Sequence, residues 1–415
     1  MIAGAADSVD LTPRSMVPLA GFGNRRGAAE SVADPLEANA VALRDESGRT
    51  AVIVTFDALF VGPVVDAALR TVLVQLGIRD EDILLLASHT HYAPSLDPGK
   101  PRLGAADGAY IAWVIEQTTA MLRRLLAKPF VPLTLSHSEA KWDGAIHRRK
   151  RWPLPYFNGG KFGRHEPAMA PEPAGPRDER VRTWQLHSDG KPFAILWSCA
   201  CHPTGFPHQN RVSAEYPGHV RAAIRAELGD LPVLFLQGFA GDIRQRSPET
   251  RPAFRRIART LRYGPSFCAF DEAGWTRWTG TLSGTVRSTL KRAAPATLSG
   301  PIRSALTATP VSALLDAGNP GKQVEFRRLA IGDGLDFWAV SAEPSVALRN
   351  HLPAGTIALG YLGDVFGYWP TAAQAAEGGY EGRGFIDAFG LEGRFRPLID
   401  TIFKDMVERL RADRR

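Results

Sequence analysis

The chain has 415 residues, 44% of them hydrophobic and 22% charged, with a formal net charge of +7 and only three Cys. That apolar content supports a large core without disulfide or metal, and it excludes disordered, collagen-like, coiled-coil and disulfide-scaffold classes. No apolar run approaches the roughly 18 residues of a spanning helix, and the opening MIAGAADSVDLTP has no basic cluster ahead of an apolar run. Neither a membrane anchor nor a secretory signal is expected, and the location is read as cytoplasmic. Only nine of the 50 cations are Lys. Arg suits bidentate binding of carboxylate or phosphate, but the one basic run, His147–Arg151, is too short to predict a nucleic-acid partner.

In chain order, Ala51–Phe56 (AVIVTF) reads as a buried strand, Gly62–Gly77 as a helix, Ile83–Ala87 (ILLLA) as a second buried strand and Ala109–Leu126 as a long amphipathic helix. Strands are predicted at Pro132–His137, Val181–Leu186, Phe193–Cys199 and Val233–Gln237, with a helix over Pro217–Leu228. This alternation predicts a mixed α/β fold, a partly parallel sheet with helices on its faces. Beyond Pro301 the strands Ala305–Val311, Glu325–Ile331 and Phe337–Ser341 crowd together, which predicts an antiparallel portion in the C-terminal third. Leu391–Arg411 reads as a last amphipathic helix, and the Pro- and Gly-rich Trp152–Arg177 as a functional or flexible loop. No repeat or linker interrupts the chain, so one domain over 1–415 is expected.

Five polar elements each follow an apolar run. Ser88-His89-Thr90-His91 follows ILLLA. Residues i and i+2 of a strand share a face, so the two imidazoles are expected side by side at the strand's carboxyl end, where open α/β sheets place ligands. Neutral imidazole is the commonest metal ligand. The strand ending in Cys199 and Cys201 runs into His202-Pro203, which repeats the placement of His89. CxC without a second Cys pair is poor support for structural zinc, so the thiols are read as reduced core residues. Gly241-Asp242-Ile-Arg244-Gln-Arg246 follows VLFL; its small residues allow close backbone approach, and Asp242 could orient a His or a water. Glu343 follows FWAVS, as a ligand or as an ordinary helix N-terminal acid. The stretch with Tyr361, Asp364 and Tyr368 follows TIAL. Each fits a turn as well as a site; together they predict a pocket at one edge of the sheet.

VDLTP (Val9–Pro13), LAGFG (Leu19–Gly23), SHTHYAP (Ser88–Pro94), CHPTGF (Cys201–Phe206), SAEYPG (Ser213–Gly218), LQGFAGDI (Leu236–Ile243), SAEP (Ser341–Pro344) and GYWPTAAQAAEGGYEG (Gly367–Gly382) occur in that order over nearly the whole chain. As a set they resemble the N-terminal catalytic domain of the neutral/alkaline non-lysosomal ceramidases. The resemblance implies one zinc ion held by His89, His202, Glu343 and Tyr368, with His91 near the reaction centre. It also marks two departures. Arg244 stands where the family pattern has a Ser assigned to amide cleavage, and the sequence is read as lacking the family's C-terminal immunoglobulin-like domain.

The expected activity is therefore zinc-dependent hydrolysis of an amide, or less readily an ester, in a small substrate carrying a carboxylate or phosphate, with water as nucleophile. His91, Asp242 and Arg244 are the expected catalytic residues, and Arg148, Arg244 and Arg246 an expected anion-binding wall. Two alternatives stand beside it: a ceramidase acting on N-acyl sphingoid lipids, and a metal-binding homologue without catalysis. The oligomeric state is left open.

Overall fold

In the computed structural model, which describes residues 1–152, 154, 157–158, 161–162, 166–292, 294–317 and 319–412, three principal sheets take the place of the single sheet expected. The first runs Ile83–Ala87, Thr50–Phe56, Glu37–Arg44, Ala3–Asp10, Val131–Pro132, and only its first two strands are parallel. The second runs Val233–Gln237, Lys191–Cys199, Arg180–Ser188, Thr134–Lys141, Ala296–Thr297, again with one parallel pair, the first. The third, Ile302–Pro310, Gln323–Ile331, Leu335–Val340, Ile357–Leu359, is parallel only at its last pair. The mixed α/β class is as expected; the antiparallel portion expected in the C-terminal third is the third sheet, and antiparallel pairs also make up most of the first two.

The continuous apolar runs follow from burial on both faces. Ala51, Ile53, Leu84 and Leu86 meet Leu196, Leu234, Leu236 and Phe337 in one inner core that all three sheets share. The alternate residues Val52, Val54 and Phe56 pack outward with Val65 and Leu69 of helix Pro63–Gln75 and with Val114 and Leu122 of helix Gly108–Ala127. Trp197 and Phe235 do the same with helices Glu215–Leu228 and Glu272–Leu290. Phe326 and Trp338 share a cluster with Phe403 and Met406 of helix Ile399–Ala412.

The last helix starts at Ile399, two residues after Pro397, so the stretch from Leu391 is not part of it. The sequence reading leaves out the strands Ala3–Asp10 and Glu37–Arg44 and the helices Ala253–Tyr263 and Glu272–Leu290. It also leaves out Ala145–Lys150 (AIHRRK), whose His and Arg side chains disguise a buried strand. That strand pairs with Ile243–Gln245 on one side and with Ala168–Glu172 on the other, so part of the expected loop Trp152–Arg177 is sheet. Residues 153, 155–156, 159–160 and 163–165 of that loop lie outside the described residues.

Candidate metal centre

The parallel strand of each sheet delivers one element of the site at its carboxyl end. His89 lies just beyond Ile83–Ala87, His202 beyond Lys191–Cys199 and Glu343 beyond Leu335–Val340. Glu343–Pro344 then pairs in parallel with Tyr368–Trp369, which sets Glu343 opposite Tyr368. The residues expected at one sheet edge therefore converge where the ends of three sheets meet.

His89 and His91 do meet, but not through strand alternation. The strand ends at Ala87, and His89 has a left-handed φ of 67°. Such a backbone is costly for a non-glycine residue and persists only where its surroundings fix it. Here His89 N–H donates to the Ala58 carbonyl and Nδ1 lies 3.0 Å from the Leu59 carbonyl. Tyr361, itself at φ 60°, lays its ring 4.4 Å from the His89 ring, centroid to centroid. Under His91 sits Gly21, where a Cβ would fall 2.4 Å from the imidazole; only Gly fits there.

The four residues implied as ligands come together. Glu343 Oε2 is 3.2 Å from His89 Nε2 and 3.1 Å from His202 Nε2, and the Tyr368 hydroxyl is 3.3 Å from His202 Nε2. All four are buried. His91 Nε2 lies 3.2 Å from His89 Nε2, and the ligand atoms of His89, His91 and His202 lie within 4.8 Å of one another. The cluster thus offers five candidate donors.

The tautomers test whether a cation fits. Nδ1 of His89 and of His202 each face a backbone carbonyl, Leu59 and Ala240, which can only accept. Both rings must carry their proton on Nδ1, so in neutral rings both Nε2 lone pairs point at a carboxylate oxygen. Burial, with Arg148 nearby, pushes His202 down to about 3, so that ring is neutral at ordinary pH. Burial, together with His89 and His202, likewise holds His91 well below the usual range. Burial raises the Glu343 carboxyl; protonated His89 and His202 would outweigh it and lower it, a stabilisation that the neutral rings cannot give and a cation can. Acceptors converging on one buried point repel unless a positive charge sits among them. Imidazoles oriented by carbonyls on the far nitrogen are the arrangement a metal ion needs. The donor set, two to three imidazoles, a carboxylate and a phenol, fits a divalent ion such as zinc.

Arg148 differs from expectation. It is buried, its Nε donates to Glu381 Oε1 at 2.7 Å, and its Nη2 donates to the Tyr368 hydroxyl at 3.1 Å. Arg149 donates to the other oxygen, Glu381 Oε2, at 2.7 Å. The charge of Arg148 is thus spent inside the protein, holding a candidate ligand rather than lining an open wall. Arg246 differs too, because its Nη2 pairs with the exposed Asp143 at 2.6 Å. Arg244 alone of the three has no carboxylate partner among the described residues. Its Nη2 makes one long bond to the Thr204 carbonyl, 3.4 Å, and its guanidinium lies 5.0 Å from the Phe267 ring centre.

Asp242 is fully buried and does not face the cluster directly. Its oxygens accept from Ser345 Oγ at 2.5 Å, Val346 N–H at 2.8 Å and Gln374 Nε2 at 2.7 Å, which pins the turn after Glu343. His147 and these bonds overcome burial and lower its carboxyl to about 2. The small residue before it serves the same turn: a Cβ on Gly241 would fall 2.6 Å from the Glu343 carbonyl. Cys199 and Cys201 are buried free thiols outside the cluster, and burial pushes Cys199 up to about 12.

Sequence reasoning missed Glu381, Arg149, Ser345 and Gln374 as supports of the centre. Glu381 and Gln374 lie within the stretch GYWPTAAQAAEGGYEG, so the motif was visible but the roles of those two residues were not.

No protein-family model matches the sequence, and no curated protein matches it. Among solved structures, neutral ceramidase from Pseudomonas aeruginosa superposes with a TM-score of 0.73 at 15% identity, covering 99% of this chain and 74% of that one. A ceramidase complexed with C2 superposes with a TM-score of 0.70 at 15% identity, covering 99% of this chain and 75% of that one. The expected resemblance to the neutral ceramidases therefore holds, at the level of the fold.

Proposed function

We propose that this chain is a zinc-dependent hydrolase that cleaves an amide bond in a small substrate bearing a carboxylate or phosphate. The observation that carries the reading is the convergence of His89, His202, Glu343 and Tyr368 on one buried point, with imidazole lone pairs aimed at a carboxylate oxygen. These four would hold the zinc. When bound, zinc lowers the pKa of a water towards roughly 7 and polarises a carbonyl.

The chain's own residues supply the rest. His91 is half-buried, with an Nδ1 that has no partner among the described residues, and it holds or moves a proton there. Arg148 keeps the Tyr368 oxygen in place. Asp242 is a positioning residue acting through the turn after Glu343. Arg244 cannot be a nucleophile; it seats the anionic group of the substrate, so a water makes the attack. The amide yields a carboxylic acid and an amine.

Metal analysis of the purified chain followed by turnover assays tests this. Stoichiometric zinc is expected, with hydrolysis of N-acyl amino acids lost on chelation and restored by zinc. A chain that binds no metal would overturn the reading. So would one that cleaves ceramide efficiently and ignores anionic amides.

A further inference from the structure

Helix Ala253–Tyr263 (AFRRIARTLRY) buries none of its residues. Phe254, Ile257 and Leu261 fall at i, i+3 and i+7, on one face, and are 69%, 56% and 58% exposed. Arg255, Arg259 and Arg262 occupy an adjoining face and Arg256 the far edge, and the helix contains no acidic residue. Among the described residues none of these four arginines has a carboxylate partner. Arg255 lies over the Phe254 ring, Arg259 and Arg262 lie over Tyr263, and Arg259 Nε donates to Ser266 Oγ. The nearest upstream acid, Glu249, is taken by Arg251 and Cys268.

An apolar stripe on a globular protein's helix normally packs on the core. An 11-residue helix is marginal in water on its own, and this one lies against the short strand Phe157–Asn158 rather than on the core. The stripe stays more than half exposed, with Ile257 and Leu261 sharing an open groove with Trp152 and Leu154, and it is flanked by uncompensated positive charge. A nucleic acid would satisfy the arginines and leave the apolar face wet. An anionic bilayer satisfies both: the apolar side chains enter the headgroup–acyl boundary while the guanidinium groups meet phosphates.

We propose that helix Ala253–Tyr263 docks this protein peripherally on an anionic lipid surface. The chain leaving the helix carries Phe267 onto the guanidinium of Arg244, whose backbone bridges to that of His202. Docking would thus lay the bilayer beside the candidate centre. No spanning segment is involved, since among the described residues no helix is long and apolar enough to cross a membrane. The surface goes beyond the hydrolase reading and does not depend on it.

Co-sedimentation of the full chain with phosphatidylcholine vesicles, with and without phosphatidylglycerol, tests it. Binding should be roughly a thousandfold tighter with the anionic lipid, from four cations near the surface. It should weaken with salt, and should fall roughly tenfold or more in Ile257→Ser/Leu261→Ser, a surface change that leaves the core alone. His202→Ala should sediment as the wild type does, which keeps failure here distinct from failure of the metal centre. Three results would overturn the proposal: no sedimentation with anionic vesicles, anionic binding untouched by the double substitution, or vesicle-independent binding to duplex DNA that the same arginines control. Self-association through this face, abolished by the double substitution with no vesicle binding, would overturn it as well.

Discussion

The two flanks of the His89–His202–Glu343–Tyr368 cluster are built differently. On the Tyr368 flank the buried Arg148 and Arg149 share the two oxygens of Glu381, and the remaining Arg149 donors reach the carbonyls of Gln374 and Gly378. On the His91 flank polar groups are left over. His91 Nδ1 and Arg25 Nε and Nη2 have no partner among the described residues, and Arg244 lacks a carboxylate. Arg25 spends only Nη1, on the carbonyls of Ala20 and His91, and its guanidinium lies 5.0 Å from the Phe22 ring and 5.5 Å from Tyr92. A buried polar group without a partner is costly. Satisfied charge on one side and unsatisfied charge on the other separate a closed wall behind Tyr368 from a wall whose donors are left free among the described residues.

Breaking the cluster itself should have the largest effect. His202→Ala removes an imidazole that faces both Glu343 and Tyr368. Metal content measured by atomic emission should fall to near zero, and turnover to background. A variant retaining full metal would show that His202 is structural and that the ion, if any, sits elsewhere.

Next comes the closed flank. Glu381→Gln leaves Arg148 buried without its counter-charge and Arg149 with only the longer contact to Glu377 at 3.4 Å, and breaking a buried pair on one side typically costs about 3–5 kcal/mol. A large drop in the urea midpoint is expected, together with weakened zinc affinity through the loosened Tyr368, by roughly 10- to 100-fold as for other supports of a metal ligand. Loss of stability with unchanged metal affinity would reduce Glu381 to a scaffold role.

The open flank carries a carboxyl of the opposite kind. Glu215, at φ 61°, is fully buried and accepts from Gly205 N–H and Gln245 Nε2, with no cation paired to it among the described residues. Burial, offset in part by its backbone bonds, raises it from 4.5 to about 8. Between those values the unfolded chain has lost the proton and the folded chain keeps it, so stability falls as pH rises through that window. Glu215→Gln removes the titration. Its stability relative to wild type should improve by up to a few kcal/mol from acid to mildly alkaline pH, read from urea midpoints along a pH series. A pH-independent difference would show that Glu215 is ionised in the folded state.

Much of this layout was legible in the sequence, for a physical reason. Strands such as Ile83–Ala87 and Val233–Gln237 are buried on both faces, so they stand out as uninterrupted apolar runs with the bounds expected. His89, His202, Glu343 and Tyr368 could be named because each lies just after such a run or in a matching motif. What escaped was whatever depends on pairing between distant segments. AIHRRK looks like a basic loop until Glu381, over 200 residues on, pairs with two of its arginines. The number of sheets escaped for the same reason, because a run buried on two faces does not say which sheet it joins. The i, i+2 argument for His89 and His91 reached the right neighbours through the wrong geometry, since a turn at φ 67° brings them together.

Arg244→Ser sharpens the contrast between flanks. A charge-assisted bond contributes about 1.5–3 kcal/mol, so KM for an anionic amide should rise roughly 10- to 100-fold. Zinc content and stability should hardly change, because no carboxylate loses its partner. An equal loss on a neutral amide would mean that Arg244 shapes the site without reading charge.

The smallest effect is expected two residues further on. Arg244 and Arg246 have the i, i+2 spacing that suggests one wall, yet the strand Ile243–Gln245 has ended before Arg246. There the Arg246 N–H bonds the Gly144 carbonyl, which carries the side chain across to the exposed Asp143. A partly exposed pair of this kind contributes about 0–1 kcal/mol, because water and salt screen it and two long side chains lose freedom in forming it. Arg246→Ala should therefore leave the urea midpoint, zinc content and KM for the anionic amide close to wild type. If it instead raised KM as much as Arg244→Ser, the two arginines would share one anion, and the contact with Asp143 would have to open when substrate binds.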